Sequence, residues 1–228
     1  VHGLPDHWHG VISCALLRAG IDVYGEKPLA KTWAEGKAIA DAVKENGRVW
    51  QTGMWQRSTP NFRRGVELVR NGMLGKILKV EVGTGPNKQV MPPAPQPGEK
   101  APAEVDYDLW VGPSADFAYD PRVFHFHWRW NMNFGGGMLL DWVCHHPDIA
   151  AWAMAKDAEF PVSVEGTGKL CEGPWDTHAA YDYTVGYADG FKMSVSSSFM
   201  GMRFIGEKGE LFVTRGKQTC SVPGLWEK

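Results

Sequence analysis

No block of basic residues interrupts this sequence: 24 Lys and Arg are interspersed with 26 Asp and Glu, for a formal net charge of -2 over 228 residues. A polyanionic partner requires a concentrated positive face, so neither nucleic acid nor an anionic membrane surface is an expected partner. Nor does any apolar run approach the ~20 residues that a membrane-spanning helix needs. Cysteine is scarce. Cys14, Cys144, Cys171 and Cys220 lie far apart and form no C-x-x-C pair, which argues against a disulfide framework or a zinc knuckle and for four reduced thiols. The opening VHGLPDHWHG has no initiator methionine, polar leader or signal-peptide pattern, and SVPGLWEK ends abruptly. Both ends are expected to be interior to a longer protein. Any targeting segment would then precede Val1, and the compartment stays open, cytoplasmic by default.

What is present is a globular composition, 43% hydrophobic and 22% charged, long enough for one large domain or two small ones. Tryptophan is abundant, with eleven, and Trp50 and Trp55, then Trp110, Trp128, Trp130, Trp142 and Trp152 form loose groups. Most are expected to fill a core, although indoles also line clefts for ring-shaped ligands.

The first quarter alternates helix and strand. Residues 8–19 have helical spacing with Gly20 as a stop, IDVYG (21–25) reads as a strand, and Thr32 with Glu35 is a capping-box signature opening a helix over 33–46 that ends at Gly47. RVWQTG (48–53) is the next strand. This rhythm predicts a parallel α/β sheet, which binds ligands at the carboxyl ends of its strands. A further helix ends near Gly72, KILKVEVGT (76–84) alternates as a half-buried strand, and the proline-rich residues 85–104 are a long loop. One helix is predicted from GGGMLL through about residue 155. The rest reads as strands 161–170, 178–199 and 202–216, with turns at Ala188-Asp189-Gly190 and Glu207-Lys208-Gly209. Such strands make a mostly antiparallel sheet, one face of which is available to a second subunit.

Three constellations carry possible chemistry. Pro5-Asp6-His7-Trp8-His9 precedes a helix; on its own it reads as an Asp6 N-cap beside surface histidines. Glu26-Lys27-Pro28 ends a strand, and a residue before proline is pushed away from helical geometry, which directs Lys27 into a cleft; the alternative is a solvated pair at a turn. Asp141 and His145 stand four apart on an apolar helix and suit proton transfer, with His146 and Asp148 as competitors for the role. A metal reading joins His125 and His127, sharing one strand face, to His145 and Asp141, but nothing fixes their distance, and no metal is expected.

In this order, PDHWH, DVYGEKPLAKTWAEG, RVWQTGMWQRS, GGGMLLDWVCHHPDIA and MRFIGEKGELFVTRG resemble the Gfo/Idh/MocA oxidoreductases, a family that includes glucose–fructose oxidoreductase and inositol 2-dehydrogenase. The resemblance covers nearly the whole chain, and E-K-P joined to a downstream D-x-x-x-H is its specific part. It implies an α/β fold: part of a Rossmann domain over 1–57, followed over 58–228 by an α+β substrate-binding and oligomerisation domain with a large, mostly antiparallel open sheet. The family's G-x-G-x-x-G loop has no counterpart here. NFGGGM (133–138) follows no βαβ strand and is not a phosphate loop. The chain therefore reads as a fragment that lacks this loop and a C-terminal segment.

The resemblance also implies residue roles. Lys27 reaches the nicotinamide ribose and the substrate hydroxyl, Asp141 stands beside the substrate, and His145 is the catalytic base. Glu26 and Pro28 shape the lysine turn. Pro5, Asp6, His7, Trp8 and His9 lie along an NAD or NADP cofactor, and Trp55, Gln56 and Arg57 enter the second domain near the nicotinamide. Trp128, Arg129 and Trp130, with Trp110 and Asp108, are expected around a sugar or polyol; the HWRW stretch also reads as an alternating strand with its indoles in the core. The implied reaction is hydride transfer from a secondary alcohol. Two alternatives remain: a glycosidase or epimerase that uses transient oxidation, and a non-catalytic sugar-binding or assembly module.

Overall fold

A computed structural model describes residues 1–227, which divide into two compact units, one comprising residues 1–54, 88–141 and 170–177, the other residues 55–87, 142–169 and 178–227. Each is treated separately below.

In the first unit, helix α1 (Asp6–Arg18) leads to strand β1 (Val23–Gly25), helix α2 (Trp33–Asn46) and strand β2 (Trp50–Thr52). β1 and β2 pair in parallel, and His2 forms a parallel bridge to Gly25 on the other side of β1. The helix-strand rhythm thus gives the expected parallel arrangement. The capping box is present: the Thr32 hydroxyl accepts from Glu35 N, the Glu35 carboxylate accepts from Thr32 N, and Gly47 ends the helix in the left-handed conformation. Cys14, Leu17, Val23, Ile39 and Ala42 make the core between these elements.

Residues 88–141 of this unit carry one short helix, α4 (Tyr107–Val111), and an aromatic cluster. Phe134, fully buried, lies 4.6 Å from the Trp110 ring, 5.1 Å from His7 and 5.5 Å from Phe117. The HFHWRW stretch is a 3₁₀ helix, His125–Trp130, and not the alternating strand expected. His125 sits at φ 47, a left-handed geometry foreign to a strand, and His127 N then bonds back to Phe124 O at 3.0 Å. The shared strand face on which the metal reading rested is therefore absent. Trp128 and Trp130 are nonetheless buried, as core packing required.

The second unit is built on seven strands in the order β4-β5-β6-β3-β7-β8-β9. They are β3 (Ile77–Thr84), β4 (Ser163–Leu170), β5 (His178–Gly186), β6 (Lys192–Ser196), β7 (Met200–Gly206), β8 (Gly209–Thr214) and β9 (Lys217–Cys220). β3 runs parallel to β6 and antiparallel to β7, and the hairpins at 188–190 and 207–209 form as predicted. Helices α3 (Pro60–Arg70) and α6 (His146–Ala153) contribute Phe62, Val66, Val69, Ile149 and Ala150 to a core shared with Val80, Val82, Met202, Phe204 and Leu211 from the sheet. The opposite face carries charged residues beside Phe212 and Ile205, and Glu81 pairs with Lys79 at 2.6 Å and with Arg203 at 3.2 Å. An open groove of about 550 Å³ runs over Glu81, Glu165, Asp182, Ser194 and Arg203.

The single helix predicted up to residue 155 is two helices. α5 (Gly137–Val143) stops, Cys144 and His145 turn the chain, and α6 restarts at His146. Pro147 explains the break: it has no N–H to give the Val143 carbonyl, and its ring would strike that oxygen. Asp141 and His145 are therefore not one helical turn apart on one continuous face, as the spacing had suggested.

Candidate active site

Lys27, just past the carboxyl end of β1, shares an electrostatic field with Asp141, Arg129 and Asp6. Gly53 N donates to Gly25 O at 2.7 Å, and Glu26 N to His2 O at 3.1 Å, which fixes the chain on either side of Lys27. The Lys27–Pro28 peptide is cis. The Lys27 ammonium makes an ion pair with the Asp141 carboxylate and donates to the Asp141 main-chain oxygen at 3.2 Å, with side-chain exposures of 14% and 24%. Two of the three ammonium N–H groups are thus used by one residue. Arg129 reaches within 3.9 Å of the same carboxylate, its guanidinium held over the rings of Phe126 and Trp128 at 4.6 and 4.4 Å.

Asp6 is a second carboxyl group in this field. It opens α1 as its first residue rather than as an N-cap; Pro5 occupies the cap without a side-chain bond. The Asp6 side chain is buried, and burial pushes its pKa up to about 7, against the pull of the Lys27 cation and with a further push from the Asp141 carboxylate. A carboxyl group raised on folding is bound to its proton in the folded state over a range where the unfolded chain has lost it. Stability attributable to Asp6 is therefore present at acid pH and declines as pH rises from about 4 through about 7. An Asp6→Asn variant should match wild type near pH 4 and exceed it in melting temperature above pH 7. Parallel melting curves for the two proteins across that range would show that Asp6 ionises normally.

The neighbouring histidines are core residues, not the surface groups that the motif alone suggested, since His7 and His9 are 2% and 0% exposed. His7 Nε2 lies 2.9 Å from Trp110 O, the Trp8 indole N–H donates to the same oxygen at 3.3 Å, and burial lowers the His7 pKa. The His9 ring spans Pro28 O at 2.6 Å and Leu4 O at 2.8 Å. His9 thereby ties the PDHWH turn to the loop after Lys27. Trp110 lies among Tyr107, Phe124 and Phe134. Lys31, which the sequence reading passed over, donates to Asn133 O at 2.6 Å and to Met132 O at 3.0 Å, joining the start of α2 to the residues before α5.

In the second unit, His145 is 4% exposed and caps α6 with φ -116 and ψ -86. Its ring meets Trp55 and Trp142 almost perpendicularly, at 5.8 and 5.4 Å. The competitors for its role are otherwise occupied. His146 is fully buried with Nδ1 2.6 Å from Gly83 O, and burial, with Arg215 adding to it, lowers its pKa to about 4, so it is neutral near pH 7. Asp148 receives two hydrogen bonds from Arg57, at 2.6 and 2.8 Å, and Arg57 also pairs with Asp157 and lies over Trp152. Gln56, 1% exposed, accepts from Arg215 at 3.1 Å. Among the described residues no three His, Cys, Asp or Glu side chains gather as metal ligands.

Comparison with known proteins agrees with these elements. Residues 3–54 match the family profile described as the oxidoreductase family's NAD-binding Rossmann fold, and residues 61–224 match its C-terminal α/β domain. Scyllo-inositol 2-dehydrogenase (NAD(+)) of Bacillus subtilis is 22% identical over 220 residues, 92% of this chain and 53% of that protein. Levoglucosan dehydrogenase of Pseudarthrobacter phenanthrenivorans is 38% identical over 74 residues, which cover 32% of this chain and 19% of that protein. Among solved structures, the WlbA dehydrogenase of Bordetella pertussis in complex with NADH and UDP-GlcNAcA superposes with TM-score 0.69 at 16% identity, covering 97% of this chain and 62% of that one. A levoglucosan dehydrogenase complex with NADH and levoglucosan gives 0.65 at 22% identity, with coverages of 93% and 53%. The chain spans about half the length, or less, of the curated relatives it matches. With one profile covering most of its residues, the chain belongs to the Gfo/Idh/MocA oxidoreductase family.

Proposed function

We propose that this chain is part of an NAD(P)-dependent oxidoreductase that exchanges a hydride between a nicotinamide cofactor and a secondary alcohol of a sugar, cyclitol or polyol. The observation that carries the reading is the Lys27–Asp141 ion pair at the carboxyl ends of parallel strands, the edge at which open α/β sheets bind ligands. The named activities of the inositol and levoglucosan dehydrogenases support the substrate class. In this reading residues 1–57 contribute part of the cofactor domain and 58–228 the substrate and assembly domain.

The donor set fits the nicotinamide end of a dinucleotide: a cation, Lys27, and an acceptor, Glu26, follow β1 directly, and Gly53 follows β2. Pro5, Asp6, His7, Trp8 and His9, with Trp55, Gln56 and Arg57, would line it. A bound nicotinamide would supply the hydride acceptor for the carbinol carbon. Lys27 offers its remaining N–H to the substrate oxygen and stabilises negative charge that develops there. Asp141 holds the ammonium in place while Arg129 balances its charge. His145 takes the hydroxyl proton as the C–H electron pair leaves, so that alcohol becomes ketone with release of one proton. Trp110, Trp128, Arg129 and Trp130 back the substrate region.

The full-length protein, supplied with myo-inositol, scyllo-inositol and levoglucosan and with each nicotinamide cofactor, should accumulate reduced cofactor with at least one pair. Glycoside release without net reduced cofactor would replace this reading with transient oxidation, and saturable sugar binding without chemistry would replace it with a binding module. The same reading assigns the polar sheet face around Glu81 and Arg203 to a second copy of the chain; a monomer by sedimentation at micromolar concentration would refute that assignment.

A further inference from the structure

Arg215 follows β8 in V-T-R-G, at the end of the MRFIGEKGELFVTRG stretch, and no role was expected of it there. Its guanidinium lies 4.7 Å from the centre of the Trp55 ring and 4.4 Å from that of Trp142, and so occupies the space between two indoles. Its Nε donates to the buried Gln56 side chain at 3.1 Å, which fixes the plane of the fork. The same two indoles are the rings that meet His145, with interplanar angles of 67° and 71°. One cation therefore grips both walls against which a buried imidazole is oriented.

The chemistry of the residue suits this task. A guanidinium is planar, weakly hydrated and always charged, so it stacks on aromatic faces while donating in its own plane. An aliphatic side chain of similar volume would fill the gap without orienting either ring. His146, the adjacent imidazole, also meets Trp142, at 5.1 Å, but is held separately by Gly83 O, whereas His145 meets both indoles.

We propose that Arg215 is a positioning residue: it clamps Trp55 and Trp142 so that their rings hold the His145 imidazole in one orientation. The consequence for turnover rests on the reading of His145 as the base; the consequence for ring orientation does not.

Two measurements on the full-length protein separate these levels. In spectra of histidine-labelled protein, the His145 Cε1–H resonance carries the ring-current shift of two indoles. Arg215→Leu should move it toward the position of free histidine while the resonances of His2 and His9 stay in place. Arg215→Lys, which keeps the charge and loses the planar stack, should give an intermediate shift, and it serves as the test if the leucine variant does not fold. On any polyol that the wild type oxidises, Arg215→Leu should lower kcat about tenfold to a hundredfold with KM within about threefold, the signature of a misplaced reacting group. Added methylguanidine should restore part of the rate of Arg215→Ala. An unmoved His145 resonance, or a raised KM with kcat intact, would overturn the proposal. If the wild type oxidises none of the polyols, the reading of the reaction fails, and the resonance still decides the role of Arg215.

Discussion

Lys27→Ala is expected to lower kcat/KM of the full-length protein about 10²–10³-fold, the usual consequence of removing one charged donor from developing negative charge. Stability should change far less. The ion pair with Asp141 is partly exposed, and Arg129 stands 3.9 Å from the carboxylate that would be left behind. Loss of a hydrogen bond to a charged group of this kind costs about 1.5–3 kcal/mol at most, since the stranded carboxylate keeps one cationic neighbour. Lys27→Arg retains the charge but carries it on a wider fork, and should recover only part of the rate. The measurement is a steady-state rate beside a melting curve. Near wild-type turnover in Lys27→Ala, with the melting curve unchanged, would remove Lys27 from the mechanism.

Phe134→Ala should produce the largest loss of stability, about 3–5 kcal/mol, because a fully buried ring leaves a cavity that its neighbours cannot close. Those neighbours are the Trp110, Phe117 and His7 rings. Phe134 also offers its main-chain oxygen to His7 N at 3.2 Å, so loosening this residue loosens the turn that opens α1 and carries Asp6. Phe134→Leu, which restores most of the volume, should cost less than half as much. Chemical denaturation of the three proteins decides the matter. A loss below about 1 kcal/mol for the alanine variant would mean that the cluster relaxes around the gap.

The parts that the sequence made legible are those whose signals are local. Thr32 and Glu35 cap α2 because four consecutive residues suffice for the reciprocal bonds, and the two hairpin turns were readable from three residues each. The break at His145 had a local signal too, in Pro147, but the apolar run around it read as one helix. HFHWRW misled for a different reason. Alternating aromatic residues are consistent with a strand, yet among the described residues no strand pairs with this stretch, and His125 turns the chain instead. The packing of residues 88–141 with 1–54 could not be read at all, because Lys31–Asn133 and His7–Trp110 are separated by about a hundred residues, 102 and 103. Lys27 and Asp141 were nameable by family pattern. That they touch, and that Asp6 shares their field, required the fold. Arg215 was invisible for the same reason.

The edge strand β4 has a consequence of its own. All eight of its residues are exposed, Val164 and Leu170 among them, and Phe160 and Val162 just before it are exposed as well. A free, apolar strand edge is a template on which other chains can add and aggregate. What opposes this in S-V-E-G-T-G-K-L is Glu165, Lys169 and two glycines with weak strand propensity. The glycines cannot be traded away to improve the strand, since side chains at Gly166 and Gly168 would run into Tyr183 and His178 on β5. The colloidal behaviour of this chain, when produced alone at high concentration, therefore hangs on two charges of opposite sign at one border of the sheet.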